Sequence, residues 1–188
     1  MKFCSECAQP ISQIIPEGDN RVRYVCLSCD TIHYQNPRIV AGTLPTHEGK
    51  VLLCKRAIEP RKGYWTLPAG FMENGETTEQ GALRETVEEA NARVIGLQLY
   101  TMIAVPHISQ VHIFFHGELA DLDFSCGIES LEVKLFEESD IPWQDLAFPT
   151  VSTTLRRYFN DRKTHINNSQ NTLPTHVFDI SIQDRLKL

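Results

Sequence analysis

The chain has 188 residues, of which 41% are hydrophobic and 22% are charged, and its formal net charge at pH 7 is −6. This composition is typical of a soluble globular protein with one domain of ordinary size and a small appendage. The negative charge provides no general field that would attract nucleic acid or an anionic membrane. No run reaches the roughly 18 to 20 apolar residues of a membrane helix, and the start has no apolar signal core. We therefore expect a cytoplasmic protein without membrane attachment.

Two cysteine pairs mark the first segment of the chain. Cys4-Ser-Glu-Cys7 and Cys26-Leu-Ser-Cys29 are separated by 18 residues. This spacing predicts a structural Zn²⁺ site of the ribbon type, with the four thiolates as ligands. A segment of about 35 residues buries too little apolar surface to fold alone, so the metal would supply its folding free energy. We assign residues 1–36 to this ribbon and, because it has few basic residues, expect a scaffold or interface role for it.

A second segment, residues 37–165, begins with alternating apolar runs. Strands are predicted at Arg38–Leu44 and Val51–Arg56, with a turn at Thr46–Gly49 between them. A short strand then enters the Pro/Gly turn that ends at Gly70. Thr77 and Thr78 offer an N-cap for a helix that extends to about Ala90.

Three glutamates in that helix have an informative spacing. Glu88 and Glu89 follow Glu85 by three and four residues, so the three side chains project from one helical face. Carboxylates crowded in this way repel each other unless a cation lies between them. Oxygen ligands on a loop and helix suit Mg²⁺ or Mn²⁺, which also bind substrate phosphates. The alternative is an exposed acidic helix face.

The remaining elements follow the acidic helix. We predict strands near Val94–Val105, Val111–Leu119 and Val133–Phe136, and a helix at about Val151–Arg162. Residues 166–188 form the predicted tail, with a flexible connector at 167–172 and a terminal strand at His176–Ile182, on this chain or on a partner. His107, His112 and His116 are interpreted as solvated or hydrogen-bonded side chains, because their spacing does not require a metal.

The stretch from Gly70 to Ala92 resembles the Nudix box, G-x5-E-x7-R-E-U-x-E-E-x-G-U, in which U is aliphatic. Its glycine and polar positions are occupied in register by Gly70, Glu76, Arg84, Glu85, Glu88 and Glu89. Three positions depart from the pattern, namely Thr86, Asn91 and Ala92. Asparagine tolerates the left-handed conformation best after glycine, so we expect Asn91 to preserve the turn that closes the helix.

The resemblance extends over nearly the whole chain to zinc-ribbon Nudix hydrolases, particularly the FAD and ADP-ribose pyrophosphatase type. It implies an α/β fold, a Nudix α/β/α sandwich with a mixed sheet, preceded by the small zinc ribbon. It also implies metal-dependent hydrolysis of the diphosphate linkage between a nucleoside and another group. The expected substrates are FAD, giving AMP and FMN, and ADP-ribose, giving AMP and ribose 5-phosphate.

The resemblance also suggests roles for individual residues. The Gly70 carbonyl, Glu85, Glu88 and Glu89 would hold Mg²⁺ or Mn²⁺, and Arg84 would orient the carboxylates, above all that of Glu76. The residues that remain open as the catalytic base are Glu88, Glu89, Glu129 and Glu132. The candidates for phosphate contacts are Lys55, Arg56 and Arg61.

Several alternatives remain open at this point. NADH pyrophosphatases share the ribbon, but they carry S-Q-P-W-P-F-P-x-S after the box, where this chain has T-M-I-A-V-P-H-I-S at 101–109. A regulatory module that senses a nucleotide, using the ribbon for partner contact, would not need the intact glutamate set. An enzyme acting on RNA ends finds no support in a pI near 5.6. We expect a small nucleotide as substrate, and a homodimer is compatible with the sequence.

Overall fold

The computed structural model describes residues 1–168 and 173–181. The chain divides into two compact units, Met1–Pro37 and Arg38–Leu188. In the part of the chain that is described, no helix is both long enough and apolar enough to cross a membrane. The domain boundaries predicted from the sequence, at residues 36 and 165, stay predictions.

The first unit is a three-stranded antiparallel sheet. Its strands are β1 (Ser12–Ile14), β2 (Arg23–Val25) and β3 (Ile32–His33), in the order β1-β2-β3. Cys4 and Cys26 are buried, although the unit has almost no other buried apolar side chain. A cysteine cluster in place of an apolar core is compatible with the predicted zinc ribbon.

The second unit is built on a mixed eight-stranded sheet. Its strands are β4 (Arg38–His47), β5 (Lys50–Arg56), β6 (Trp65–Thr66), β7 (Ala69–Phe71), β8 (Val94–Val105), β9 (Gln110–Leu119), β10 (Ser130–Phe136) and β11 (His176–Asp179). The order is β10-β5-β4-β9-β8-β11, and the short β6 and β7 pair with β5 and β4. Two pairings are parallel, β4 with β9 and β8 with β11, and the others are antiparallel.

Two helices, α1 (Thr78–Ala90) and α2 (Pro149–Asn168), cover the two faces of this sheet. Successive residues of β5 point to opposite faces, so Leu53 packs in the cluster that contains Leu155 of α2, whereas Leu52 packs with Ala90 of α1. The predicted sandwich of a mixed sheet between helices is therefore confirmed.

Both ends of α1 are fixed by local hydrogen bonds. At the start, Thr77 accepts from the Gln80 backbone N–H while the Gln80 side chain accepts from the Thr77 N–H. At the end, Asn91 has φ 47° and ψ 27°, the left-handed conformation that was expected of it. Its side-chain Nδ2 also donates to Ser125 Oγ at 3.0 Å. The helix is thereby joined to the loop that precedes β10.

Thr86, which departs from the aliphatic pattern of the box, is fully buried between α1 and β4. Its hydroxyl lies 2.6 Å from the Thr43 hydroxyl and donates to the Ala82 carbonyl oxygen at 2.7 Å. Because both threonine hydroxyls are satisfied by each other and by the helix backbone, the polar pair is accommodated in the core.

Some predicted boundaries were wrong. Strand β4 continues to His47, so the turn is confined to Glu48 and Gly49, both of which have positive φ. Helix α2 is longer than predicted and contains the first two residues of the expected connector, whose remaining residues, 169–172, lie outside the described part. The terminal strand ends at Asp179 and pairs with β8 of the same chain.

The C-terminal strand is attached to α2 through a partly buried polar network. Asp161 of α2 accepts hydrogen bonds from the Tyr100 hydroxyl at 2.8 Å and from His176 Nε2 at 2.6 Å. Arg157 donates to His176 Nδ1 at 3.2 Å. This network links β8, α2 and β11.

We expect Asn91→Ala to lower the free energy of unfolding by about 1 to 2 kcal/mol, because alanine is strained at positive φ and removes the contacts to the following loop. Asn91→Gly should lose less than half as much, because glycine adopts this conformation freely. Urea unfolding at equilibrium measures both changes. An equal loss in the two variants would show that the side-chain bonds, rather than the left-handed backbone, contribute the stability.

Candidate active site

A cleft of about 1080 Å³ lies between the acidic face of α1 and the end of the sheet. One wall carries the side chains of Glu85, Glu88, Glu89 and Glu129. The floor and the opposite wall are largely apolar, and their members include Val40, Phe71, Ile108, Phe114, Phe148 and Val151. The cleft therefore joins an anionic wall to an apolar surface.

Arg84 organises the acidic wall. Its Nε and Nη2 donate to the two oxygens of Glu76 at 3.0 and 2.9 Å, a bidentate contact. Its Nη1 donates to Glu85 at 2.7 Å and to Glu88 at 3.1 Å, and its Nη2 also donates to the Phe71 carbonyl oxygen at 3.1 Å. One guanidinium thus positions three carboxylates against the strand beside them.

Gly70 allows α1 to approach that strand. It lies in β7 opposite Ala41 of β4, and a Cβ at this position would overlap the Glu85 carboxylate. At the preceding residue of β7, the Ala69 N–H donates to Glu89 Oε2 at 3.1 Å. The two glutamates are consequently held against the backbone of β7.

The charges in this wall are unevenly compensated. Hydrogen bonds from Arg84, assisted by the Glu73 N–H, lower the pKa of Glu76 to about 2. Burial raises the pKa of Glu89 to about 8, and the charges of Glu85 and Glu129 add to that increase while the Ala69 N–H opposes it. Burial also raises the pKa of Glu85, against the effect of Arg84. Negative charge at Glu85 and Glu89 is therefore poorly neutralised by the protein itself.

This donor set fits a hard divalent cation. The available ligands are carboxylate oxygens and the backbone of Gly70, and a bound cation would supply the positive charge that the buried glutamates lack. Within residues 1–168 and 173–181, the one compact group of three or more potential metal ligands is that of the four cysteines, Cys4, Cys7, Cys26 and Cys29. The glutamates thus have suitable donor atoms but do not converge on one point, and Arg84 holds two of them, Glu85 and Glu88.

The predicted candidates for base and phosphate contacts are divided by the structure. Glu129 lines the cleft. Glu132, on β10, lies 3.9 Å from the ammonium group of Lys55, and neither residue lines the cleft. Arg61 is exposed and lies over the Tyr64 ring, also outside the cleft lining.

Arg56 is the one member of the predicted phosphate-binding set that lines the cleft. Its guanidinium lies 5.3 Å from the centre of the Phe148 ring, and its Nε donates to the Pro60 carbonyl oxygen at 2.9 Å. Both contacts fix the side chain at the cleft entrance while most of its N–H donors are not used in them.

The sequence did not indicate the apolar floor of the cleft. Val40 of β4 is in register with Phe71 of β7 on one side and with His112 of β9 on the other. All three side chains line the cleft, and neighbouring strands are about 4.8 Å apart, so the row extends about 10 Å. Phe71 is 46% exposed, and the Arg38 guanidinium lies over one face of its ring, 4.9 Å from the ring centre, so stacking of a ligand would use the other face. The signal lies in strand register, which a single sequence does not reveal.

The loop that carries Glu129 rests on the end of α1. The Gly127 N–H donates to the Glu89 carbonyl oxygen at 3.0 Å, and the Ser125 N–H donates to the Ala90 carbonyl oxygen at 2.9 Å. A Cβ at Gly127 would overlap the Glu88 carbonyl oxygen. The loop is therefore docked directly on the turn that presents Glu88 and Glu89.

In the first unit the four cysteine sulfurs form a compact group. Cys4 and Cys29 Sγ are 3.7 Å apart, and Cys7 and Cys26 Sγ are 3.4 Å apart. A tetrahedron with metal–sulfur bonds of about 2.3 Å has sulfurs separated by about 3.8 Å. The group is thus of the right size for one tetrahedral metal ion.

Comparison with protein-family models matches residues 2–35 to the zinc-ribbon model described as Nudix N-terminal and residues 36–159 to the NUDIX domain. The chain belongs to the Nudix family. A solved Nudix hydrolase from Nitrosomonas europaea is 54% identical, with a TM-score of 0.89, and the match covers 96% of this chain and 99% of that one.

Two relatives are named NAD-capped RNA hydrolase NudC. The protein from Pseudomonas fluorescens (strain Pf0-1) is 32% identical over 146 residues, which is 75% of this Nudix chain and 50% of the relative. The protein from Salmonella schwarzengrund (strain CVM19633) is 29% identical over 163 residues, 85% of this chain and 59% of the relative. The chain thus spans about half the length of the curated relatives it matches.

The raised pKa of Glu89 predicts how stability depends on pH in metal-free protein. The unfolded carboxyl titrates near 4.5 and the folded one near 8, so between these values the folded state binds more protons. The Glu89 carboxyl should therefore lower the free energy of unfolding as pH rises from about 5 to about 8, by an amount on the order of a few kcal/mol, whereas the lowered pKa values of the buried His112 and His116 act in the opposite direction below about pH 6.5. Urea unfolding in EDTA at several pH values measures this slope.

Glu89→Gln removes the titrating group and should flatten the slope. Glu79→Gln, an exposed substitution in the first turn of the same helix, is the matched control and should keep it. An unchanged slope in Glu89→Gln would contradict the assignment of the raised pKa to this residue.

Proposed function

We propose that this protein hydrolyses, with the help of a divalent metal, the diphosphate linkage of a nucleotide whose second phosphate bears another group. FAD, giving AMP and FMN, and ADP-ribose, giving AMP and ribose 5-phosphate, are the substrates we place first. The observation that carries the proposal is a single cleft in which poorly neutralised glutamates adjoin an apolar floor with an exposed aromatic ring. Such a cleft suits a diphosphate attached to a flat heterocycle.

Glu85, Glu88, Glu89 and the Gly70 carbonyl would hold Mg²⁺ or Mn²⁺, which when bound neutralises the diphosphate and acidifies a water. The protein's own contribution is position. Arg84 aligns the carboxylates of Glu76, Glu85 and Glu88 through four hydrogen bonds, and Gly70 lets the Glu85 carboxylate lie against β7. We regard Arg84 and Glu76 as positioning residues.

For proton removal from the attacking water, three of the four candidate residues line the cleft. These are Glu88, Glu89 and Glu129. Glu132 has an exposed side chain paired with Lys55, which does not support a role for it as the base. Arg56 is the favoured phosphate contact, because it lies at the cleft while Lys55 and Arg61 do not.

The charge of the cleft supports a small nucleotide over a long polyanion. Six glutamates line it, against two arginines, Arg56 and Arg84. Bound metal compensates part of this charge next to the diphosphate, but the rest of the acidic rim would repel further phosphates. A substrate with one diphosphate is therefore favoured over RNA.

The second candidate substrate is the dinucleotide NADH, free or as an RNA cap, and it is favoured by the name of the relatives, NAD-capped RNA hydrolase NudC. Against it stands the segment 101–109, which lacks the tryptophan typical of NADH pyrophosphatases and has one proline where their motif has three. In this structure that segment forms the end of β8 and the turn whose Ile108 lines the cleft. A regulatory nucleotide sensor is disfavoured because the complete glutamate set would have no purpose in it.

A hydrolysis screen of FAD, ADP-ribose, NADH and NAD-capped RNA, with Mg²⁺ and Mn²⁺ at matched concentrations, tests the proposal. We expect FAD or ADP-ribose to have the highest kcat/KM and AMP to be among the products. All these substrates present the same diphosphate, so preference should arise from the floor of the cleft. A clear preference for NADH or capped RNA would support the second candidate, and no hydrolysis of any would overturn the proposal.

In the same screen, Glu85→Gln and Glu89→Gln should lower turnover at least about a hundredfold, because they keep the size of the side chain and remove a metal-binding charge. Glu79→Gln lies on the same helix outside the cleft and should retain the parent rate. Near-normal turnover in both variants would exclude the proposed ligand set.

We also propose that the cysteine group binds Zn²⁺ and that this ion is structural. The four sulfurs have the spacing of a tetrahedral site, and the first unit has little apolar core. Elemental analysis of protein purified without added zinc should find about one zinc per chain. The double variant Cys4→Ser, Cys7→Ser should lose it, whereas Cys126→Ser, an exposed cysteine of the second unit, should keep it. Zinc retained by the double variant would refute the ligand assignment.

A further inference from the structure

A cavity of about 30 Å³ adjoins the cleft at the end of the apolar floor, opposite the acidic wall. We call it the annexe. It shares Ile108, His112, Phe148 and Thr150 with the cleft, and its remaining lining comes from the end of β8, the following turn, the start of α2 and Ile180, which follows β11. Its volume corresponds to about one water molecule or one small substituent of a ligand.

The annexe contains polar atoms that the protein does not satisfy. Thr150 Oγ1 and both ring nitrogens of His107 are buried without a hydrogen-bond partner. Of the five side-chain atoms with this property in the described ranges 1–168 and 173–181, three lie here. Thr150 is only 4% exposed. Because buried polar groups are nearly always paired in folded proteins, such a concentration indicates a partner that the described residues do not supply.

The chemistry of the lining selects an uncharged hydrogen-bond acceptor. Thr150 has a hydroxyl donor, the His107 imidazole has an N–H donor, and α2 begins at Pro149, so its positive end adjoins the annexe. Among the residues that the structure describes, no lysine, arginine, aspartate or glutamate lines the annexe. A phosphate would be too large for the volume and would meet no cation there. A carbonyl oxygen matches both the size and the donors.

The neighbouring wall adds a further donor. Burial lowers the pKa of His112 to about 4, so this imidazole is neutral at neutral pH. Its Nε2 lies 2.9 Å from the Gln110 carboxamide oxygen and must donate to it. This hydrogen bond uses the carboxamide oxygen of Gln110. The N–H groups of the same side chain are therefore the donors that it offers to a ligand in the cleft.

The floor connects the annexe to the acidic wall at a suitable distance. Phe71 follows Gly70, against which the Glu85 carboxylate lies, and the row from Phe71 through Val40 to His112 spans about 10 Å. A planar ring system stacked on this row, with its diphosphate at Glu85, would bring its far edge to the annexe.

We propose that the annexe binds a carbonyl oxygen on the far edge of the substrate's heterocycle, with Thr150 and His107 as specificity-determining donors. This inference rests on the proposed function and narrows its substrate. The isoalloxazine ring of FAD and the carboxamide of NADH carry such an oxygen, whereas the adenine of ADP-ribose carries none. The site therefore favours nucleotides that contain a carbonyl-bearing ring.

The test compares Thr150→Val with Thr150→Ser on FAD, NADH and ADP-ribose. Valine keeps the shape and removes the donor, so kcat/KM for the preferred carbonyl-bearing substrate should fall about threefold to tenfold, mainly through KM. The loss for ADP-ribose should be at least threefold smaller, and serine should restore most of the loss. His107→Phe should shift the same ratio in the same direction. Thr154→Val, one turn further along α2, is the matched control, because its hydroxyl meets Thr101 outside the cleft.

Equal losses on all three substrates, no loss, or a similar loss in Thr154→Val would overturn the assignment. Binding separates this outcome from failure of the proposed function. FAD titrated against the protein with Ca²⁺ in place of Mg²⁺, followed by flavin fluorescence, reports affinity without turnover. If the parent protein binds FAD but hydrolyses none of the substrates, the proposed function fails while the annexe is still judged by the affinity of Thr150→Val. Absence of both FAD and NADH binding by the parent protein would overturn the annexe.

Discussion

The guanidinium of Arg84 is the interaction on which the acidic wall depends. It contacts the loop before α1 through Glu76, the helix itself through Glu85 and Glu88, and strand β7 through the Phe71 carbonyl. Three separate pieces of chain are thereby fixed by one planar group with donors in a rigid fork. A lysine has neither the number of directed donors nor the planarity to make these contacts together. The Glu85 carboxylate can lie so close to β7 only because Gly70 has no Cβ at the point of contact.

Burial and charge act against each other in this wall. Glu76 keeps its proton affinity low because Arg84 satisfies both of its oxygens, whereas Glu89 lies deeper and receives one backbone N–H. Arg84 is thus paired mainly with Glu76, a residue that shapes the loop, and the buried carboxylates are left undercompensated. This distribution is unfavourable for the stability of the metal-free chain and favourable for cation binding.

The sequence predicted the parts of the protein whose signal is local. Capping by Thr77, the left-handed Asn91 and the cysteine spacing all depend on residues close in sequence, and strand periodicity located the main elements. Adjacent strand positions were harder, because Lys55 and Arg56 have the same charge but opposite directions on β5, and only Arg56 lines the cleft. Glu129 lies just before β10 and lines the cleft, whereas Glu132 lies within β10 and does not. The row of Phe71, Val40 and His112 depends on the register in which β7, β4 and β9 pair, and this register could not be predicted from one sequence.

The docking of the Gly127 loop on the end of α1 makes the acidic wall of the cleft one hydrogen-bonded unit, distinct from the opposite wall. Glu129 is carried on a loop hydrogen-bonded to the carbonyls of the helix turn that bears Glu88 and Glu89, so these carboxylates move together as the helix moves. The opposite wall, with Gln110 and Thr150, belongs to β9 and α2 and has no such link to that turn among the hydrogen bonds described above. A change in the width of the cleft would therefore leave the distances between the carboxylates of the acidic wall unchanged. Substitutions that reshape the apolar side can therefore change which nucleotide fits while the geometry for bond cleavage stays the same.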